Sequence, residues 1–233
     1  MKPKKVAILQ SNYIPWKGYF DIINMVDVCI FHDDLQYTKQ DWRNRNKIKT
    51  AKGAEWLTIP CGSDENRLIS EVELKDAGWQ KEHWNKIYPN YSKTKYFHQY
   101  KDFFEKLYLK DAWKTLSDLN QYLIKKIARD FLKIKTIFDD SRKYHLKEKK
   151  QARVLELLEK VKATEYLSGP AAKAYLDEGE FVKRKIKLSW MDYSDYSQYN
   201  QLYPPFCHEV SIIDLIFNEG PDAYKYLKSF RKA

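Results

Sequence analysis

Nothing in this chain approaches the roughly twenty consecutive apolar residues that a membrane-spanning helix requires, so no transmembrane segment is expected. The opening MKPKKVAILQSN is basic, but Gln10 breaks its short apolar run; this argues against a secretory signal and for a cytoplasmic protein. Cysteine is scarce. Cys29, Cys61 and Cys207 are far apart, odd in number and without metal-ligand spacing, a pattern suited to a reducing compartment rather than to a disulfide scaffold. His32 beside Asp33 and Asp34 suggests part of a metal site, but no complete ligand set is visible and none is assigned. Zinc-finger spacing, RNP aromatics and basic heptads are all missing, which sets nucleic acid aside as a partner. No Gly-x-Ser-x-Gly frame marks a nucleophilic serine.

What is present is a chain of 233 residues, 43% hydrophobic, long enough to bury a substantial core. Its 42 Lys and Arg against 32 Asp and Glu give +10, a balance that draws phosphate-bearing ligands without naming one. The most informative stretch is residues 10–46. It follows an apolar run at 6–9 and encloses another at 28–31, so it reads as strand, loop, helix, strand. Gln10, Asn12, Tyr13 and Trp16 follow the first strand, and His32, Asp33, Asp34 and Gln36 follow the second. Arg43, Asn44 and Arg45 come just after. Amides, carboxylates, guanidinium groups and stackable rings together suit a polyhydroxylated anionic molecule such as a nucleotide sugar, with Arg43 and Arg45 on phosphate. The ends of parallel strands are where an open α/β sheet holds its ligand.

These residues resemble a known family. The run QSNYIPWKGYFDIINMVDVCIFHDDLQYTKQDWRNRNKIKT is similar to the opening of the WbqC-like proteins, a bacterial family met in gene clusters for O-antigen and other surface polysaccharides. Further matches follow in order at GAEWLTIPCGS, at Trp79 and His83 in GWQKEHWNKIY, at YLSGPAAKAYLDE and at SIIDLIFNEGP. Ser11 departs from the family pattern, where Pro is usual, and residues 207–210 fall in a variable stretch. The resemblance implies a role in surface-glycan biosynthesis by transfer of an acyl or aminoacyl group, glycyl among them, to an activated sugar. It names no cofactor. A weaker analogy to HxGH nucleotidyltransferases places Trp16, Gly18 and Tyr19 at the glycine-flanking positions, so both histidines are missing and the analogy supports a Rossmann-like frame more than adenylation.

Beyond residue 46 the pattern predicts a hairpin turning near Lys52 and Gly53, a polar lid at 62–70, a short strand at 71–74, and a helical middle over roughly 79–131. Trp79, His83 and Ile87 share one helical face. His83 is the candidate general base, because imidazole titrates near neutrality, and its alternative is a hydrogen-bonded structural residue beside two tryptophans. A strand at 135–138 and a helix at 151–161 follow. Residues 163–179 read as strand, Ser168-Gly169-Pro170 turn and helix, where Ser168 and Gly169 either bind an anion at the helix start or only cap it. After a strand at 186–190, Tyr193 is a stacking candidate while Tyr196, Tyr199 and Tyr203 read as an irregular surface arm. Asp214 sits in a strongly apolar helix and needs a partner, for which an Arg in the 43–45 region is proposed. Pro221 opens a last amphipathic helix.

The expected whole is a single α/β domain over residues 1–233, with a Rossmann-like, mostly parallel sheet, flanking helices and the helical middle. His83 deprotonates the acceptor, Asp33 and Asp34 orient it, and the ligands are an activated sugar and an acyl or aminoacyl donor. Two rivals are an ATP-dependent adenylate-forming ligase and a noncatalytic subunit that binds nucleotide sugar or glycan. Oligomeric state has no signature in the sequence.

Overall fold

The computed structural model describes residues 3–231. The apolar run after Lys5 becomes β1 (Lys5–Leu9), and VCIF becomes β2 (Val28–Phe31), parallel to it from Val6 against Val28 to Leu9 against Phe31. Between them α1 (Lys17–Asn24) makes the crossover. The hairpin forms as β3 (Arg45–Thr50) and β4 (Gly53–Thr58), a separate two-stranded sheet whose turn uses Gly53 at φ 109°. The helical middle is α2 (Gly78–Tyr91), α3 (Phe97–Leu109) and α4 (Leu116–Lys126). The chain returns through β5 (Ile137–Asp140), α5 (Lys150–Lys160), β6 (Glu165–Ser168), α6 (Glu178–Lys183), β7 (Lys187–Trp190) and α7 (Ile212–Glu219).

The five-stranded sheet has the order β5-β2-β1-β6-β7 and is parallel throughout. From β1 the chain builds outward through β2 to β5, then crosses to the other side of β1 for β6 and β7. The strand order therefore reverses between β1 and β6, the place where open α/β sheets admit ligands beyond their carboxyl ends. Side chains alternate across the sheet. Ala7, Cys29 and Phe31 join the larger core with α1, the helical middle and α7, whereas Val6, Val28 and Ile30 join a smaller one with α5 and α6. Both faces being covered is what makes β1 and β2 read as unbroken apolar runs.

Several expected elements are different. Residues 71–74 are not a strand: a 3₁₀ turn at Ile69–Glu71 is followed by an isolated pairing of Glu73 with Thr115. The last helix of the middle begins at Leu116, where the Thr115 hydroxyl accepts from the Asp118 N–H at 3.1 Å, and it runs into a π turn at Ile127–Phe131. β5 lies two residues later than 135–138. The Ser-Gly-Pro turn opens only a five-residue 3₁₀ turn (Pro170–Ala174), and the segment after Gly220 is also 3₁₀ (Gly220–Tyr226). No helix among the described residues is long and apolar enough to cross a membrane.

Candidate functional site

The loop leaving the carboxyl end of β1 packs beside the β3–β4 hairpin, and a cavity of about 690 Å³ opens between them. Asn12, Pro15 and Trp16 form the loop wall. Arg45, Asn46 and Lys47 from β3 and Trp56 from β4 form the hairpin wall. Gln40, Asp41 and Trp42 close one end and Glu209 another. Alternation along β3 explains the pattern: Arg45 and Lys47 share a face, so both cations rest over the Trp56 ring, at 4.3 Å and 5.1 Å from its centre. Trp42 tilts against Trp56 at 5.5 Å and keeps 45% of its surface exposed.

Hydrogen bonding separates the charged groups. Arg45 has no side-chain hydrogen bond or ion pair among the described residues, and its guanidinium lies over the Trp56 indole. Lys47 has one weak carboxylate neighbour, Glu209 at 3.4 Å. Asp41 is more occupied, since it pairs with Arg43 and accepts from the Trp42 N–H at 2.6 Å and the Thr38 hydroxyl at 2.9 Å. Asn46 fastens the two walls: its amide donates to the carbonyls of Tyr13 at 3.1 Å and Ile14 at 2.9 Å and its oxygen accepts from the Lys47 N–H at 2.8 Å. Ile14 stands at φ 35°, a conformation that β-branched residues rarely adopt, so these bonds hold a strained turn at the wall. Gly18 allows Trp16 its position, because a Cβ there would collide with the indole.

Of the residues anticipated for binding, Asn12, Trp16 and Arg45 line this cavity. Arg43 stands behind Asp41, Asn44 is buried and donates to the Ile59 carbonyl at 2.9 Å, and the Gln10 carbonyl accepts from Tyr19 at 2.7 Å. Tyr193 meets Trp16 edge-on at 5.3 Å from outside the lining. Gln36 is exposed and donates to the Glu65 carbonyl at 3.1 Å, away from the cavity. Ser168 is buried at the end of β6, and Gly169 precedes a 3₁₀ turn too short to act as a helix dipole. Trp42, Trp56, Lys47 and Glu209 were not anticipated. Trp56 stood inside the predicted hairpin, where strand register sets it opposite Lys47, but Trp42 precedes β3 and no strand register points it at Trp56.

The three groups expected to do chemistry lie in closed networks. His83 is 1% exposed, boxed by Tyr13, Trp79 and Tyr108. Its Nε2 lies 3.2 Å from the Thr58 carbonyl, which can only accept, so that nitrogen carries the proton. Its Nδ1 then accepts from the Tyr13 hydroxyl at 2.8 Å, and Tyr13 accepts from Tyr108 at 2.6 Å. Burial lowers the imidazole pKa to about 4, so the ring is neutral at physiological pH. Asp33, fully buried, accepts from the Ser11 N–H at 2.8 Å, the Ser117 hydroxyl at 2.6 Å and Gln121 at 3.0 Å. Asp34 holds Ser141 and Arg153, and Arg153 also donates to His32 Nε2 at 3.1 Å, which fixes His32 as neutral; burial lowers its pKa.

Asp214 finds a different partner from the one expected. No Arg of the 43–45 region reaches it; Tyr91, Tyr199 and Gln201 donate to it at 2.9, 2.7 and 2.9 Å, while burial raises its pKa. Tyr196 donates to buried Asp21 at 2.5 Å. With Tyr199 also buried, the tyrosine segment is an inserted strap rather than a surface arm. Lys17, 2% exposed, is caged by Tyr196, Tyr199 and Phe206, and burial lowers its pKa to about 8.

Residues 10–226 match the WbqC-like protein family. The chain belongs to that family. It is also 43% identical over 231 residues to the uncharacterized protein Rv1507c of Mycobacterium tuberculosis, covering 98% of this chain and 100% of that one. No solved structure matches it. The matched region takes in every residue that lines the cavity.

Proposed function

We propose that this WbqC-like protein binds an activated, phosphate-linked sugar in the cavity between the β1 loop and the hairpin, and transfers an acyl or aminoacyl group to it during surface-polysaccharide synthesis. The observation that carries the reading is Arg45, a guanidinium pre-set on Trp56 with no acceptor among the described residues, beside the half-exposed Trp42. Guanidinium suits a phosphate oxygen pair and an exposed indole suits the apolar face of a sugar ring. Asn12 and Asn46 bring further polar groups to the wall. In the transfer, an acceptor amine or hydroxyl attacks the carbonyl carbon of an activated donor, an ester or thioester by class. The new N–C or O–C bond forms, the bond to the leaving group breaks with its electron pair, and the acceptor proton passes to the Glu209 carboxylate at the cavity. His83, Asp33 and Asp34 act here as positioning residues.

That last point also favours a second reading, a noncatalytic subunit for activated sugars, since the groups expected to do chemistry do not line the cavity. One experiment separates the two. The purified protein is mixed with a nucleotide sugar and acetyl coenzyme A as the acyl probe, and the sugar is followed by mass spectrometry beside a calorimetric binding titration. Transfer predicts an added acyl mass that is lost in Arg45→Ala. Saturable binding with no mass gain from any thioester or ester donor leaves the binding subunit, and absence of binding removes both.

A further inference from the structure

The cavity carries both signs of charge, and the two signs differ in how far they are satisfied. Arg45 has no hydrogen-bond or ionic partner among the described residues, and Lys47, two residues along β3, lies about 7 Å further on by strand geometry. Glu209 sits beyond Lys47 at 3.4 Å; its side chain is 77% exposed and that lysine is its one ionic neighbour among the described residues. The backbone is anchored two residues after Glu209, where the Ser211 N–H donates to the Lys47 carbonyl at 2.8 Å and the Ile212 N–H to the Pro15 carbonyl at 2.9 Å. The strap before α7 is thereby tied to both cavity walls. Asp41, by contrast, already accepts from three donors.

A ligand bearing only negative charge would gain from Arg45 and be repelled by Glu209 in the same partly enclosed space. A ligand with an anion at one end and a cation at the other satisfies both, and like-charge juxtaposition is the usual means by which a site rejects the wrong partner. Resting on the activated-sugar reading above, we propose that the sugar is an amino sugar with its amine free, the phosphate lying on Arg45 and Lys47 and the ammonium on Glu209. The amine is then also the acceptor group that the acyl transfer consumes, and acylation removes the charge that Glu209 recognises.

The test is calorimetric titration of the full chain with three probes that share a phosphate: glucose 1-phosphate, glucosamine 1-phosphate and N-acetylglucosamine 1-phosphate. The free amine is expected to bind about tenfold more tightly than either neutral sugar. Glu209→Gln, an exposed substitution that leaves the fold intact, should bring the three affinities together, while Arg45→Ala should weaken all three. Equal affinities in the wild-type chain, or a Glu209→Gln effect of the same size on every probe, overturns the amino-sugar assignment alone. No binding by any of the three, together with none by a nucleotide sugar, overturns the activated-sugar reading as well.

Discussion

His83 and Arg45 both lie against tryptophan, yet the imidazole is sealed with both nitrogens bonded while the guanidinium is left with its donors unclaimed. The same contrast holds for the carboxylates: Asp33 is buried under three hydrogen bonds and Glu209 touches a single lysine. Polar groups bonded on every side stabilise a fold and have no capacity left for a ligand. Groups held in place by an aromatic face, or by the backbone behind them, keep that capacity. Function is therefore sought where the polar side chains are positioned but unsatisfied, and stability where they are positioned and satisfied.

The largest effect that bears on this comparison is expected at Asp33. Its carboxylate joins the β1 loop to Ser117 and Gln121 of α4, and Gln121 also reaches Asp140 at 3.0 Å. Asp33→Ala leaves those donors buried without an acceptor, so urea denaturation should show a loss of about 3–5 kcal/mol. A loss under about 1 kcal/mol would mean that the network is dispensable and Asp33 is available for another role.

Next in size is the pH response of His83. The unfolded imidazole protonates near its ordinary 6.5 and the folded one resists until about 4. The stability it contributes is complete above pH 6.5 and is lost progressively as pH falls to about 4, in total about 3 kcal/mol. Replacing His83 with Gln should lower stability at neutral pH and flatten this part of the profile. If instead His83→Gln keeps full stability but loses most of its turnover, and the residual rate no longer falls on the acidic side, the imidazole is a base and the contrast with Arg45 fails.

Gly18→Ala should have a smaller effect, about 1–3 kcal/mol, from displacing the Trp16 indole that packs on Tyr193 and Tyr196. Because Trp16 also lines the cavity, the same variant should weaken binding of glucosamine 1-phosphate. An unchanged affinity would show that this wall takes no part.

Much of the fold was legible because its determinants are local. Parallel strands buried on both faces leave apolar runs, as at 6–9 and 28–31, and Gly53 marked the hairpin turn. The loops around residues 10–46 drew attention by their polar and aromatic side chains, and three of the candidates they offered, Asn12, Trp16 and Arg45, line the cavity. What was not legible depended on distance along the chain. Asp214 draws one of its three donors, Tyr91, from 123 residues away and the other two, Tyr199 and Gln201, from an irregular strap with no periodic pattern to place them. Trp42 and Trp56 meet only once β3 and β4 are in register and folded back on the loop before them. His83 looked like a base because the sequence displays an imidazole's ordinary pKa and conceals its burial.

The smallest stability effect belongs to Arg45, and it discriminates best. With no protein acceptor to lose, Arg45→Ala should cost only its stacking on Trp56, about 0.5–1 kcal/mol in denaturation. Its consequence should appear only with ligand. A bound sugar phosphate at a hundred times its dissociation constant stabilises the folded chain by about 2.7 kcal/mol, and that increment should vanish in Arg45→Ala while Trp42→Ala reduces it. The comparison then inverts what denaturation alone would rank: the residue that matters least to the empty protein governs its response to ligand. If Arg45→Ala destabilises the unliganded chain as much as Asp33→Ala does, the guanidinium is a structural group like the others, and the cavity loses the feature that marked it.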